Sequence, residues 1–191
     1  MQNTTIIIGL GNEYLSDDGV GVHIARGLED KIRENSSLSA TTRVERLSVG
    51  GLALLDYVIG YHTCFIIDAV TTGLYPPGTL LRHRECCDEE TLTVHSSHHI
   101  ALSQLFGIAK LLELDVPSMT AIYGIEPFDL LTFSTRCTRS VEDAIPRCIA
   151  VIYDDLVGLQ HPTRENVRHS PVNSTVSHGV RWQVMKQSVW N

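Results

Sequence analysis

The sequence predicts an α/β fold: one domain with a twisted, mostly parallel sheet of about five strands between helices. Three observations carry that prediction. Short apolar, β-branched runs recur at residues 5–10, 63–70 and 118–125, and continuous apolar runs of this length suit strands buried on both faces. Segments with helical spacing separate them. Acidic residues then stand where the runs end, at Asp18, Asp68 and Glu126, and open α/β sheets gather their ligands beyond the carboxyl ends of their strands.

Taken in order, residues 5–10 form the first strand, and Gly9 and Gly11 let the backbone turn as it leaves. Ser16 or Asp17 is positioned to cap the following helix, 17–32, whose apolar side repeats at Val20, Ile24, Leu28 and Ile32. That places Asp18 in the first turn, where the helix dipole favours a carboxylate. Residues 33–41 read as a polar connection, 42–49 as a second strand and 52–61 as a second helix. The third strand, 63–70, repeats the opening design and carries Asp68 near its end. A Pro-Pro-Gly turn at 76–78 leads to a short edge strand at 80–83, followed by an irregular acidic stretch at 86–93. Leu102, Leu105, Ile108, Leu111 and Leu112 define one side of a helix over 98–114 that opens on histidines. A further strand, 118–125, and a long helix, 140–160, kinked at Pro146, complete the domain.

This gives an α/β domain over 1–160 and a polar, basic tail over 161–191 that lacks helical periodicity and reads as flexible or loosely docked, with Trp182 and Trp190 as anchors to the body or a partner. The 191 residues carry a net charge of −7, and residues 1–160 alone carry −10, which disfavours nucleic acid as a partner. The apolar runs are too short to span a bilayer, the first residues do not resemble a signal peptide, and five cysteines without C-x-x-C spacing fit reduced thiols. The expectation is a soluble, cytoplasmic protein without membrane contact.

Asp18, Asp68 and the cluster His95, His98, His99 converge if the sheet is built this way. Two carboxylates and an imidazole suit a borderline divalent metal such as Ni²⁺ or Zn²⁺. The same carboxylates could also act as an acid/base pair without metal. Gly9-Leu10-Gly11-Asn12 is not a dinucleotide fingerprint, because Tyr14 stands where the third glycine belongs. P-loop, G-x-S-x-G and H-E-x-x-H motifs are absent.

GLGNEYLSDDGVG, FIIDAVTTGLYPPGTL, SSHHIAL and YGIEP, in that order, resemble the signatures of the hydrogenase maturation endopeptidases across about residues 5–160. The resemblance implies an endopeptidase that removes the C-terminal extension of a nickel-iron hydrogenase large-subunit precursor once nickel is installed. It also implies that Asp18, Asp68 and His98 contact that nickel, with His99 as a neighbour and with Zn²⁺ or Cd²⁺ as stand-ins in vitro. The chain departs from the pattern at Arg46–Gly51, RLSVGG, where many members carry an acid, which suggests a different subgroup of partner. The same side chains would serve a nickel-binding accessory protein that cuts nothing. A peptidyl-tRNA hydrolase shares the G-L-G-N opening but needs a basic surface for tRNA.

Overall fold

The computed structural model describes residues 4–86, 102–160, 174–177 and 180–185. Four parallel strands form the centre of one sheet: β1 (Thr5–Leu10), β2 (Thr42–Leu47), β3 (Thr63–Ala69) and β5 (Met119–Ile125), in the order β2-β1-β3-β5. Every residue of β1 and β3 is buried, as their unbroken apolar runs require. Successive side chains face opposite sides of the sheet. Ile6, Ile8, Cys64, Ile66 and Ile122 therefore enter one core, and Ile7, Phe65, Ile67, Ala121 and Tyr123 enter the other.

Helices cover both faces. On the second core lie α1 (Val20–Arg33), through Val20, Ile24, Leu28 and Ile32, and α6 (Ile145–Gln160), through Cys148, Ile152 and Leu156. The opposite core receives Leu55 and Val58 of α3 (Leu55–Val58), and Leu105, Phe106 and Ala109 of α4 (Leu102–Leu111). The buried stripe of α4 differs from the predicted one: Ile108, Leu111 and Leu112 are exposed. Phe106 and the small Ala109 fit against the sheet, so the helix is rotated about its axis relative to the leucine pattern.

The 33–41 connection contains a short helix, α2 (Ser36–Thr41). Asn35 caps it, its Oδ1 accepting from the backbone N–H of Ser37 and Leu38 at 3.2 Å each, and Leu38 is fully buried. Replacing Asn35 with Ala should cost about 1 kcal/mol in urea unfolding. The predicted second helix is a 3-10 turn, Gly51–Leu54, followed by the single turn of α3. The predicted long last helix is divided into α5 (Arg139–Glu142) and α6. Pro146 is the second residue of α6, where a helix has no use for the missing N–H, so the chain starts a new helix there instead of kinking an old one.

The sheet extends further than the sequence suggested. β4 (Leu80–Cys86) pairs antiparallel with β5, from Leu80 opposite Ile125 to Cys86 opposite Met119, and is not an edge. Its other side takes β7 (Val180–Val184), with Leu81 opposite Val184 and Arg82 opposite Gln183, and β6 (Ser174–Ser177) pairs antiparallel with β7. The seven strands run β2-β1-β3-β5-β4-β7-β6. The tail that lacked helical periodicity thus supplies two strands, and Val180-Arg-Trp-Gln-Val184 does alternate at the period of a strand.

Candidate active site

The turn that leaves β1 is built around Asp18. Gly11 has φ +135°, and a Cβ there would sit 1.8 Å from the Asp18 carbonyl oxygen, so only glycine allows the chain to fold back so closely. The Gly11 N–H donates to the Leu47 carbonyl, and the Ser48 hydroxyl donates to the Gly11 carbonyl, which ties the turn to β2. Asp18 lies in a 3-10 turn, Ser16–Gly19, with its side chain buried. Its Oδ2 accepts from the Asn12 N–H at 2.7 Å, while Asn12 Oδ1 accepts from the Tyr14 N–H. A charge-assisted bond of this kind fixes the carboxylate without neutralising it.

Asp68 is the next-to-last residue of β3, 2% exposed and in register with Gly124 of β5. What brings it alongside Asp18 is Gly21. A Cβ on Gly21 would come within 2.3 Å of both the Ile67 and the Leu10 carbonyl oxygens, so the start of α1 rests directly on the ends of β1 and β3. Both carboxylates therefore stand at one rim. Strand order reverses there, since the chain passes from β1 to β2 on one side and then places β3 on the other. Such a reversal opens the crevice in which α/β sheets bind ligands.

Two further acids serve this rim structurally. Asp17, expected as a helix cap, caps nothing: α1 has no side-chain cap bond at its N-terminus. Its fully buried carboxylate instead accepts from the N–H groups of Phe128, Asp129 and Thr138 and from the Thr138 hydroxyl. Sequence reasoning assigned no role to Glu126. Its buried carboxylate accepts from the Thr72 N–H and hydroxyl and from the Gly73 N–H, fixing the loop that follows Asp68. The available signal was the one that marked Asp68, an acid at the end of a buried strand.

His95, His98 and His99 lie outside the described residues. Among the described residues, no group of three or more His, Cys, Asp or Glu side chains is arranged to hold a metal ion. Two of the three predicted ligands are thus placed at one rim. The described thiols are poor nucleophiles: burial raises the pKa of Cys64, pushes Cys148 up to about 11, and with Asp17 and Glu142 pushes Cys137 up to about 12.

Residues 22–155 match the family model HycI, hydrogenase maturation protease. The hydrogenase expression/formation protein HupD of Thiocapsa roseopersicina is 24% identical over 153 residues, 79% of this chain, but only 66% of that protein's length is matched. The fold is similar to that of the hydrogenase maturating endopeptidase HybD from E. coli, at a TM-score of 0.62 and 22% identity over 82% of this chain and 93% of that one. It is also similar to that of the [NiFe] hydrogenase maturation protease HybD from Thermococcus kodakarensis, at 0.59 and 19% over 80% and 99%.

Proposed function

The chain belongs to the hydrogenase maturation protease family, and from that premise we propose that it is an endopeptidase acting on the large-subunit precursor of a nickel-iron hydrogenase. It removes the C-terminal extension after nickel has been inserted. What supports this reading is the position of Asp18 in the turn that follows β1 and of Asp68 near the end of β3, beside the point where strand order reverses.

Nickel in this scheme belongs to the precursor and arrives as part of the substrate. Asp18, Asp68 and His98 supply the oxygen and nitrogen donors that contact it, and Zn²⁺ or Cd²⁺ can take its place in vitro. The metal polarises the scissile carbonyl as a Lewis acid. Water adds to the carbonyl carbon, the C–N bond breaks and the departing nitrogen takes up a proton. The protein's own contribution is positional. Asp18 is held by the Asn12 N–H, and Asp68 by its place in the buried strand β3, so a docked precursor meets a preset geometry. Such positioning can lower a barrier by about 7–11 kcal/mol.

No helix among the described residues is long and apolar enough to cross a membrane. The free thiols Cys64, Cys137 and Cys148 support a reducing, cytoplasmic setting for the reaction.

The test is Asp68→Asn, incubated with nickel-loaded precursor and followed by gel shift. Processing should slow by about a hundredfold or more, in the range seen when a transition-state contact is lost, with the circular dichroism spectrum unchanged. Normal processing would overturn the assignment. A wild-type protein that binds the loaded precursor without ever shortening it would instead favour a nickel-checking accessory role.

A further inference from the structure

The loop that Asp17 holds has a composition unlike the rest of the surface. Phe128, Leu131 and Phe133 are 76%, 88% and 80% exposed, and Tyr14 stacks on Phe133 with ring centroids 6.2 Å apart. Single exposed apolar residues are ordinary, but a contiguous group of this size marks an interaction site.

The loop is also held so that these side chains cannot turn inward. The Asp17 carboxylate takes the N–H groups of Phe128 at 2.9 Å, Asp129 at 3.0 Å and Thr138 at 2.7 Å, and the Asp17 N–H donates to the Asp129 carbonyl. Ser16 N–H donates to the Ser134 carbonyl, and Ser134 N–H to that of Tyr14, so both ends of the loop are stitched to the turn that carries Asp18. At its tip, Asp129 Oδ1 accepts from the N–H groups of Leu131 and Thr132. Those bonds, with the Thr132 side chain first, hold the Asp129 carboxyl below the usual carboxylate range.

We propose that residues 128–134, with Tyr14, form a rigid apolar clamp that docks the hydrogenase precursor beside Asp18, and that Asp17 is the positioning residue that holds it. The inference rests on the reading of Asp18 and Asp68 as the processing site. The clamp adjoins that site through Tyr14, which stacks on Phe133 and whose N–H donates to Asn12 Oδ1, while the Asn12 N–H donates to the Asp18 carboxylate. A partner seated on the two phenylalanines is therefore delivered to the carboxylates. The occupant is an apolar patch on a folded protein, since neither a metal ion nor a polar peptide tail offers the surface that four such side chains would bury. Because the loop is already ordered, docking avoids the entropy loss that a floppy recognition segment would suffer.

The experiment compares the triple variant Phe128→Ser, Leu131→Ser, Phe133→Ser with wild type on nickel-loaded precursor. KM should rise at least tenfold, with the loss falling on KM and not on kcat, and the melting temperature should hold because the three side chains are exposed. Asp17→Asn should shift KM in the same direction. If the triple variant misfolds, Phe133→Ala alone should still raise KM at least threefold. Introduced into the Asp68→Asn background, the triple substitution should weaken precursor binding at least tenfold by calorimetry. Unchanged KM and affinity, or a loss confined to kcat, would overturn the clamp. Normal processing by Asp68→Asn would overturn the site assignment instead, leaving the clamp to be judged on KM.

Discussion

Asp155→Ala should destabilise the protein by about 3–5 kcal/mol, the cost of stranding one partner of a buried ion pair. Asp155 Oδ2, on α6, accepts from Arg82 Nη1 of β4 at 2.5 Å and from the Tyr123 hydroxyl of β5 at 2.8 Å. The Arg82 and Asp155 side chains are only 9% and 18% exposed, and Tyr123 is fully buried. Removing the carboxylate takes this acceptor from both the Arg82 guanidinium and the Tyr123 hydroxyl. Arg139–Asp143, with side chains 94% and 71% exposed, should by contrast be worth a few tenths of a kcal/mol at most. For a domain of this size, the loss expected from Asp155→Ala lowers the melting temperature by roughly 10 °C. Replacing Arg82 with Met and Asp155 with Leu together should recover most of the loss, since a packed apolar pair needs no desolvated partner. A single substitution costing under 1 kcal/mol in urea titration would refute the argument.

The second large effect is expected at Gly21. Alanine there gains helix propensity of about 1 kcal/mol. Its Cβ, however, would lie 2.3 Å from two backbone carbonyl oxygens, Ile67 and Leu10, neither of which can swing away. Overpacking, at about 1–3 kcal/mol, should outweigh that gain, for a net loss of up to about 2 kcal/mol. Processing should fall by more than stability alone explains, because relief of the clash lifts the Asp18 turn off the end of β3. Gly27→Ala, on the same helix, is the control. Its Cβ would meet only the Cδ1 end of the Ile149 side chain, which can rotate. Equal stability changes from the two substitutions would show that the contact with the sheet is not what Gly21→Ala measures.

The parts of the fold legible in the sequence were those in which local pattern and tertiary role coincide. β1, β3 and β5 read as strands because burial on both faces leaves few polar positions, and α1 read as a helix because its stripe matches its buried face. Asp68 could be singled out in the sequence as an acid near the end of a buried strand, and Asp18 as an acid in the turn after one. Where distant partners decided the outcome, the local signal misled. Asp17 carries the signature of a cap, yet its partners lie on the loop after β5. The leucines of α4 outnumber its true contacts, and which face turns inward depended on the fit of Phe106 and Ala109. β7 is a short strand whose pairing with β4, and with β6 on its other side, no neighbouring residue announces.

The late position of β7 has a consequence for biosynthesis. β4 carries its hydrogen-bonding groups toward a neighbour that lies far later in the chain, with Val184 opposite Leu81. On the ribosome, the central strands and α6 are complete while that flank of β4 is still unsealed. An open strand flank is a template for pairing with other chains. β7 therefore covers that flank of β4 only once it has itself been translated, and the interval before it emerges is when the flank is most exposed to self-association.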